Sequence, residues 1–482
     1  MAIRNGREYV ESLRKLNRSA YIMGELMSEP ENHPLVRPSV NAVAATYDLQ
    51  SEERYHNLIY AESHLDGSKI NRFTHIHRST SDLVNKVKMQ RLLGQITGTC
   101  FQRCVGMDAI NALESTTYEI DKEKGTTYYD NFNKFLSYIQ KENLVCDGAM
   151  TDPKGDRSKR PSQQGDPDLY LRIVEEKKDG IIIKGAKCHQ TGALNSHYII
   201  VMPTMSMREE DRDYAVSFAI EADAPGITYI LGRQPSDTRK VEKNTPDIGN
   251  LKYGGQECLI YFDKVFIPFE KIFMLREYKY TGMLMERFAS YHRQSYGGCK
   301  VGVGDVLIGA AATLADYNGV SNVFHIKDKL VEMIHLNETL YCCGIASSSE
   351  GKPTISGTFL VDTLLANICK LNVTRFPYEI ARLAEDIAGG LMVTAPSLND
   401  LKHPEIGNIL QKMHCGVEGI NAECRMKMLR LVENITLGPA AAAYRTESMH
   451  GAGPPQAQRV MIGRLADVDN KKMLAKKLAG IR

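Results

Sequence analysis

A segment rich in reactive side chains reads SYHRQSYGGCKVG. Its His292, Tyr296 and Cys299 are spaced four and then three residues apart, which places them along one face of an α-helix. A second segment, GTCFQRCVGMDAI, carries Cys100 and Cys104 four residues apart. If both segments are helical, two helices present three thiolates and one imidazole, a donor set that can close around one metal centre.

That donor set permits three interpretations. Structural zinc is bound by three cysteines and one histidine in many proteins. An iron–sulfur cluster also takes thiolates, and replacing one thiolate by imidazole changes its charge and reduction potential. The third interpretation is an inert apolar core, because C-x3-C is not a common zinc spacing and buried cysteines pack as small hydrophobes. Gly297 and Gly298, beside Cys299, predict either a close backbone approach or a break in the helix.

Two polar loops bound part of a strand-rich region. GAMTDPKGDRS at residues 148–158 and KCHQTGALNSH at residues 187–197 each contain a threonine among polar residues and glycine. Their hydroxyls and backbone N–H groups can hydrogen-bond a flat ring, although each stretch taken alone is typical of a turn.

The chain divides into three regions that differ in the spacing of their apolar residues. Residues 1–144 and 276–482 show helical spacing of apolar residues, whereas residues 145–275 alternate short apolar runs with glycine and proline. We therefore expect an α+β fold with an N-terminal α-helical domain, a middle β domain and a C-terminal α-helical domain over these ranges.

Composition excludes several classes of protein. The 482 residues are 43% hydrophobic and 24% charged with a net charge of +2, which does not favour a nucleic-acid binder. The N-terminal MAIRNGREYVESLRKLN lacks the apolar core of a secretory signal, and the apolar runs are too short to span a membrane. We expect a cytoplasmic protein whose eleven cysteines are free thiols or metal ligands rather than disulfides.

The two polar loops resemble the flavin-contacting loops of acyl-CoA dehydrogenase-type β domains, through AMTDPKGDRS and KCHQTG. This resemblance implies an acyl-CoA dehydrogenase-like fold, with a middle β-barrel or sandwich and a C-terminal helical bundle, and it implies FAD as a cofactor. DIAGG, residues 386–390, resembles the glycine pair by which one subunit of that fold meets its neighbour's flavin. The implied flavin-binding residues are Met150, Thr151, Lys154, Gly155, Gln190, Thr191, Gly389 and Gly390.

Longer stretches resemble the 4-hydroxybutyryl-CoA dehydratase family, which is related to the 4-hydroxyphenylacetate 3-hydroxylases. They are MQRLLGQITGTCFQRCVGMDA, ERFASYHRQSYGGCKVGVGD, ETLYCCGIA, RFPYEIARLAEDIAGGLMVT and YRTESMHGAGPPQAQR. Members of that family are homotetramers, dimers of dimers with a shared flavin site, that contain FAD and a [4Fe-4S] cluster. They dehydrate 4-hydroxybutyryl-CoA to crotonyl-CoA by a radical route and isomerise vinylacetyl-CoA. The resemblance implies a lyase with isomerase activity on an acyl-CoA substrate.

The matching positions carry the residue types that the family uses. The implied cluster ligands are Cys100, Cys104, His292 and Cys299. The implied catalytic residues are His292, Tyr296, Glu447, Lys300, Glu257 and Gln102. In this interpretation His292 takes the C3 proton of the substrate, and Lys300 stabilises negative charge near the cluster. Tyr296 and Glu447 take the C2 proton or protonate the product, and Glu257 lies near the flavin or the CoA chain.

The implied chemistry explains why the reaction needs both the flavin and the iron–sulfur cluster. The C3 proton of a 4-hydroxyacyl thioester is not acidic, so an acid–base pair alone does not remove it at useful cost. Loss of the acidic C2 proton and then of one electron makes the C3 proton much more acidic, and a flavin can take one electron and return it later. An iron bound by imidazole can act as a Lewis acid on the C4 hydroxyl.

Three other functions stay open at this point. A flavin monooxygenase of the 4-hydroxyphenylacetate 3-hydroxylase type shares the fold but needs no cluster, so the three cysteines argue against it. An ordinary acyl-CoA dehydrogenase passes its electrons to a carrier. A zinc-binding scaffold protein has no catalytic role and is colourless when purified.

Overall fold

Helices and strands both contribute to the fold, with helices holding 56% of the residues and strands 15%. The computed structural model describes residues 2–232, 247–250 and 252–481. The predicted mixture of helix and sheet is confirmed. The division into three domains at residues 144 and 275 stays a prediction, as does the barrel or sandwich assigned to the middle one.

The first part of the chain is mainly helical and ends in two long helices. Its helices are α1 (Gly6–Leu13), α2 (Arg37–Asp48), α3 (His56–Ile59), α4 (Thr80–Thr97), α5 (Cys104–Lys124) and α6 (Tyr128–Glu142). Its short strands are β1 (Ser19–Ile22), β2 (Glu25–Leu26), β3 (Tyr60–Glu62) and β4 (Lys69–Asn71). The Ser79 side chain caps α4 by accepting a hydrogen bond from the Asp82 N–H, and α4 ends at Gly98, whose positive φ closes the helix.

The described middle of the chain supplies eight strands to two sheets. They are β5 (Cys146–Ala149), β6 (Arg172–Glu176), β7 (Gly180–Thr191), β8 (Tyr198–Val201), β9 (Val216–Glu221), β10 (Ile227–Leu231), β11 (Glu257–Pro268) and β12 (Ile272–Leu275). One sheet has the order β2-β1-β10-β11-β7-β6 and the other has the order β12-β9-β8-β5. Buried side chains of both sheets, such as Ile183, Ile260, Ile199 and Phe218, join one apolar core.

Strands β1 and β2 come from the region predicted to be helical. Strand β1 pairs in parallel with β10, with Ser19 opposite Thr228, so the N-terminal residues extend the larger sheet. A strand of four residues carries too short an alternation of apolar and polar side chains to stand out from its helical surroundings.

The last part of the chain is a helical assembly around one long helix. Its helices are α7 (Thr281–Tyr317), α8 (Phe324–Ser349), α9 (Thr363–Val373), α10 (Phe376–Ala388), α11 (Leu391–Thr394), α12 (Gly407–His414), α13 (Ala422–Thr436), α14 (Pro439–Ala441), α15 (Glu447–His450), α16 (Pro455–Leu465) and α17 (Val468–Leu478). A hairpin of β13 (Lys352–Pro353) and β14 (Phe359–Leu360) lies between α8 and α9. A π-helical turn, Ala442–Thr446, leads into α15.

Helix α7 is long and apolar enough, by length and composition, to cross a membrane. However, 67% of its most apolar window is buried inside the protein, where it packs against α4, α5, α8 and α9. Packing in the interior therefore accounts for its apolar composition.

A buried carboxyl group lies on β5. The Asp147 side chain belongs to a residue that is only 1% exposed, and no basic side chain forms an ion pair with it in the part of the chain that the structure describes. Burial raises the pKa of Asp147 to about 7, because the charged form loses its hydration. Asp147 is therefore protonated in the folded protein over a pH range in which the unfolded chain carries a carboxylate.

Replacing Asp147 by Asn should stabilise the protein at neutral and alkaline pH. The folded pKa of about 7 lies above the unfolded value of about 3.9, so the stability of the native protein falls as the pH rises between these two values. The difference in unfolding free energy between Asp147→Asn and the native protein should therefore increase as the pH rises from about 3.9 to about 7, by at most about 4 kcal/mol. Thermal or denaturant unfolding across the window measures it, and a difference that does not change with pH would contradict the assignment.

Candidate active site

The glycines of α7 let the helix touch its neighbours backbone to backbone. A Cβ atom on Gly298 would lie 2.5 Å from the Val87 carbonyl oxygen of α4. One on Gly297 would lie 2.6 Å from the Gly344 Cα of α8. The helix runs unbroken through both residues, so the predicted close approach is confirmed and the alternative of a helix break is wrong.

Cys100 and Cys104 do not lie on one helix, so their predicted i, i+4 pairing is wrong. Helix α4 closes at Gly98, and α5 begins only at Cys104, which leaves Cys100 in the intervening loop. Gln102 adopts a positive φ of 52° in that loop. The buried guanidinium of Arg103 fixes the loop by donating to the Thr46 hydroxyl over 3.0 Å, and it also lies over the Tyr47 ring.

The loop nevertheless brings the three predicted thiols to one buried region. The pKa of Cys104 lies well above its usual value. It is raised by a hydrogen bond with Cys100, by burial, and by the charges of Cys100 and Cys299. Burial raises the pKa of Cys299 to about 12. Cys104 and Cys299 share an apolar cluster with Tyr296. Two separate chain segments therefore deliver thiols to the same place, as the sequence predicts.

His292 contacts Tyr296, which shares the apolar cluster of Cys104 and Cys299, and a carboxylate fixes its ring. Its Nδ1 is 2.8 Å from the Oδ2 of Asp108, a residue of α5 four positions beyond Cys104. The imidazole stacks on Phe288 with ring centroids 5.6 Å apart, and its edge meets Tyr296 at 5.2 Å. The hydrogen bond through Nδ1 leaves Nε2 as the ring nitrogen available to a ligand.

Two carboxyl groups and a lysine form a hydrogen-bonded network on another side of the site. The Thr191 hydroxyl donates to Glu257 over 2.7 Å, at the point where β7 and β11 pair. Lys300 donates to Glu447 over 2.7 Å and to the Ala443 carbonyl over 2.5 Å. The sequence predicts all four of Thr191, Glu257, Lys300 and Glu447 as site residues, and the structure places them in one network.

The two carboxyl groups carry different charges. Burial, and then the neighbouring Glu447 carboxylate, raise the pKa of Glu257 well above its usual value. Burial would also raise the pKa of Glu447. However, the charge of the Lys300 ammonium and the hydrogen bonds from Glu257 and Lys300 outweigh the effect of burial, so the pKa of Glu447 lies below its usual value. Glu257 is thus a protonated acid that donates a hydrogen bond to an ionised Glu447, an arrangement in which the environment separates an acid from a base.

Tyr296 lies close to two buried lysines. The Nζ atoms of Lys300 and Lys370 are 5.2 and 5.0 Å from the centroid of its ring. Lys370 also donates to the Ser448 carbonyl, just as Lys300 donates to Ala443. The two lysines therefore hold both ends of the segment that contains the π-helical turn and Glu447, and such turns are frequent at functional sites.

Gln102 connects the loop of Cys100 to the sheet. Its amide nitrogen donates to the Gln256 carbonyl over 2.8 Å, and its amide oxygen accepts from Asn195 over 2.9 Å. Both ends of the Gln102 side chain are thus engaged within the protein. This geometry favours a role in positioning the loop, and the catalytic role assigned to Gln102 stays a prediction.

The predicted flavin loops lie side by side next to this network. The Cys188 N–H donates to the Thr151 carbonyl over 2.8 Å, and the Gln190 amide donates to the same carbonyl over 3.2 Å. Met150 is buried, and Gly155 has a positive φ of 49°. The loop of Met150, Thr151, Lys154 and Gly155 therefore adjoins the end of β7, where Gln190 and Thr191 lie.

Gly389 and Gly390 are not part of this assembly within one chain. They lie exposed at the C-terminal end of α10, where Gly389 takes a positive φ of 71°. The contact of this glycine pair with the flavin of a second subunit stays a prediction.

Two residues of the site were missed by sequence reasoning, namely Asp108 and Lys370. Both are charged residues within apolar helical stretches, GMDAINAL and ANICKLNV, and both are fully buried. Charged residues are seldom fully buried unless they are paired. A charge on the apolar face of a helix was the signal that could have found them.

Family models cover nearly the whole chain. One described as 4-hydroxyphenylacetate 3-hydroxylase N terminal matches residues 5–274, and one described as 4-hydroxyphenylacetate 3-hydroxylase C terminal matches residues 281–480. The chain belongs to the 4-hydroxyphenylacetate 3-hydroxylase family.

Individual relatives within the 4-hydroxyphenylacetate 3-hydroxylase family fall into two groups. The chain is 59% identical to a 4-hydroxybutyryl-CoA dehydratase/vinylacetyl-CoA-Delta-isomerase of Clostridium aminobutyricum, over 98% of this chain and 99% of the relative. It is also 59% identical to the solved oxygen-tolerant archaeal 4-hydroxybutyryl-CoA dehydratase of N. maritimus, with a TM-score of 0.97 over 100% of this chain and 96% of that one. The oxygenase component of 4-hydroxyphenylacetate 3-monooxygenase, solved with FAD, shares the fold at 21% identity, with a TM-score of 0.88 over 99% and 98% of the two chains.

Three buried thiols and an imidazole are donor types that an iron–sulfur cluster takes. Within residues 2–232, 247–250 and 252–481, no three Cys, His, Asp or Glu side chains lie close enough together to hold one metal ion. The [4Fe-4S] cluster and its four ligands therefore stay predictions, and the structural-zinc interpretation stays open.

Replacing Gly298 by Ala should damage the packing that places Cys299. The added methyl group would meet the Val87 carbonyl at 2.5 Å, and forcing extra atoms into a packed interior costs about 1–3 kcal/mol. Gly309 is the matched control, because it lies on the same helix and a methyl group added there would meet no atom of a neighbouring element within 4 Å. Gly309→Ala should be neutral or stabilise by up to about 1 kcal/mol. Melting temperatures compare the two variants, and equal values would contradict the close contact.

Proposed function

We propose that this protein dehydrates 4-hydroxybutyryl-CoA to crotonyl-CoA and isomerises vinylacetyl-CoA, as a lyase with isomerase activity. The observation that carries the proposal is the convergence of three thiols, one imidazole and a protonated–ionised carboxyl pair on one buried site. The dehydratase relatives at 59% identity support the same substrate class.

The residues proposed to hold the cofactors are those that the resemblance implies. Cys100, Cys104, His292 and Cys299 would bind a [4Fe-4S] cluster, since they supply the thiolates and imidazole that such clusters take. The adjoining loops at Thr151 and Thr191 would bind the isoalloxazine of FAD. When bound, the flavin exchanges single electrons with the substrate, and the cluster acts as a Lewis acid towards the leaving hydroxyl.

Proton transfer falls to the side chains of the chain itself. Glu447 is ionised and lies close enough to Lys300 for its charge to be balanced, so it is the group able to accept the C2 proton. Glu257 holds its own proton beside it, and Glu447, once protonated, can return a proton to the product. Because the two carboxyl groups are hydrogen-bonded to each other, their protonation states change together.

The tyrosine and histidine occupy the remaining side of the site. Burial and the charge of Glu447 raise the pKa of Tyr296 well above its usual value, so its hydroxyl acts as a donor that keeps its proton. His292, beside it, is the candidate for the C3 proton. Lys300 keeps its charge beside Glu447, and this ammonium favours an anionic enolate of the thioester. Burial lowers the pKa of Lys370 to about 7, so its charge changes near neutral pH.

Assembly and location follow from the same proposal. We infer a homotetramer, a dimer of dimers, in which the exposed Gly389–Gly390 pair of one subunit reaches the flavin of its neighbour. We further infer a cytoplasmic enzyme whose substrate is an acyl-CoA thioester.

Anaerobic purification followed by cofactor analysis and assay tests the proposal. We expect a coloured protein with FAD, about four irons per chain, and crotonyl-CoA formation from 4-hydroxybutyryl-CoA without any added electron acceptor. A colourless or zinc-containing protein would overturn it. Reduced-flavin-dependent oxygen uptake with 4-hydroxyphenylacetate, in the absence of iron, would instead establish the monooxygenase alternative.

The carboxyl pair offers a matched comparison of two substitutions. Glu447→Gln removes the ionised base and should lower kcat by about 10²–10⁴-fold. Glu257→Gln keeps a hydrogen-bond donor where the protonated acid stood, so it should cost no more than about tenfold. Steady-state kinetics and FAD content of both variants measure the difference. Equal losses in the two variants, with FAD retained, would show that the assignment of acid and base is wrong.

A further inference from the structure

A buried carboxylate behind His292 has no part in the chemistry described so far. Asp108 is 0% exposed, and its Oδ2 lies 2.8 Å from Nδ1 of His292. The Ser295 hydroxyl donates to the same oxygen over 3.2 Å. Asp108 therefore contacts the imidazole on the side away from Nε2, the nitrogen that is left for a ligand.

The charge on Asp108 is held by a second buried residue. Lys86, on α4, donates to Oδ1 of Asp108 over 2.6 Å and to the Tyr291 carbonyl over 3.0 Å, and it is also 0% exposed. A buried ion pair without solvent keeps its geometry only while both partners are present. Each carboxylate oxygen of Asp108 thus has an assigned donor, Lys86 on one and His292 on the other.

This arrangement determines which imidazole nitrogen can bind a metal. Because Oδ2 accepts a hydrogen bond, the proton of the neutral imidazole lies on Nδ1, and Nε2 keeps its lone pair. Metal-binding histidines commonly donate their other N–H to a carboxylate, which fixes the tautomer and the orientation of the ring.

We propose that Asp108 is the positioning residue for His292, holding the imidazole in the tautomer that presents Nε2 to iron, with Lys86 fixing the carboxylate. The inference rests on the proposed function only in so far as His292 is a cluster ligand. The part played by Asp108 is separate from the acid–base pair, since Glu257 and Glu447 lie on other elements and do not contact it.

Asparagine at position 108 should reverse the tautomer because of Lys86. The ammonium of Lys86 can only donate, so the amide oxygen of the new side chain must face it, and the amide NH₂ must then face His292. Nδ1 becomes the acceptor, the imidazole proton moves to Nε2, and that nitrogen no longer binds iron. In Lys86→Met Asp108→Asn the ammonium is gone, so the amide oxygen is free to turn back to Nδ1–H.

Mössbauer spectroscopy of iron-57-enriched holoenzyme reads out the histidine ligand apart from activity. In the native protein one iron of the four should give a component distinct from the thiolate-bound irons, because its ligand is nitrogen. Asp108→Asn should lose that component and lower turnover by about 10- to 100-fold. Lys86→Met Asp108→Asn should regain the component, and Ser295→Ala should retain it.

A second pair of variants keeps the test decisive if the single variant does not fold. Lys86→Met Asp108→Asn and Lys86→Met Asp108→Leu both lack the buried ion pair, but only the former can accept a hydrogen bond from Nδ1. The distinct iron component should be present in the former and absent from the latter. Its presence in Asp108→Asn or in the leucine variant, or its absence from Lys86→Met Asp108→Asn, overturns the inference. A native protein without iron would instead overturn the proposed function.

Discussion

Backbone contact between α7 and its neighbours is the constraint on which the site depends. Helix α4 meets α7 through Gly94 and Gly302, where a Cβ on Gly94 would lie 2.9 Å from the Gly302 Cα. Helix α4 also leads directly into the loop of Cys100, and α7 carries Cys299. Since no flexible side chain separates the two helices at these points, the distance between the two thiols is set by backbone geometry. A rigid scaffold of this kind suits ligands that must hold a fixed spacing.

Burial makes the charges of the site interdependent. Lys86 with Asp108 and Lys300 with Glu447 are ion pairs whose lysine partners are at most 3% exposed. Removing either member of such a pair leaves an uncompensated charge in a poorly hydrated interior. The ionised state of Glu447 therefore depends on Lys300, whereas burial is the largest cause of the proton held by Glu257.

Sequence reasoning captured the site where residue type alone was informative. The set of thiols, the imidazole and the carboxyl residues could be named from motifs. The structure places the thiols in one buried region and the carboxyl residues in one network with Lys300, while their roles stay predictions. The helical pairing of Cys100 with Cys104 was wrong because spacing does not reveal that α4 closes at Gly98 and that α5 begins only at Cys104. From the sequence, the glycine pair of α7 predicted either a close backbone approach or a helix break. The choice could not be made because the backbones it contacts, at Val87 and Gly344, are far away in the sequence. Asp108 and Lys370 were missed because their significance lies in what they touch across helices.

The π-helical turn at Ala442–Thr446 gives the backbone before Glu447 one residue more than an α-turn would hold. Because the wide turn absorbs this residue locally, deleting one residue there would restore ordinary α-helical winding while the residues on either side keep their register. The Ala443 carbonyl within the turn accepts a hydrogen bond from Lys300, the lysine that also pairs with Glu447. Such a deletion would therefore change the backbone that Lys300 contacts even though no residue type in the site had changed.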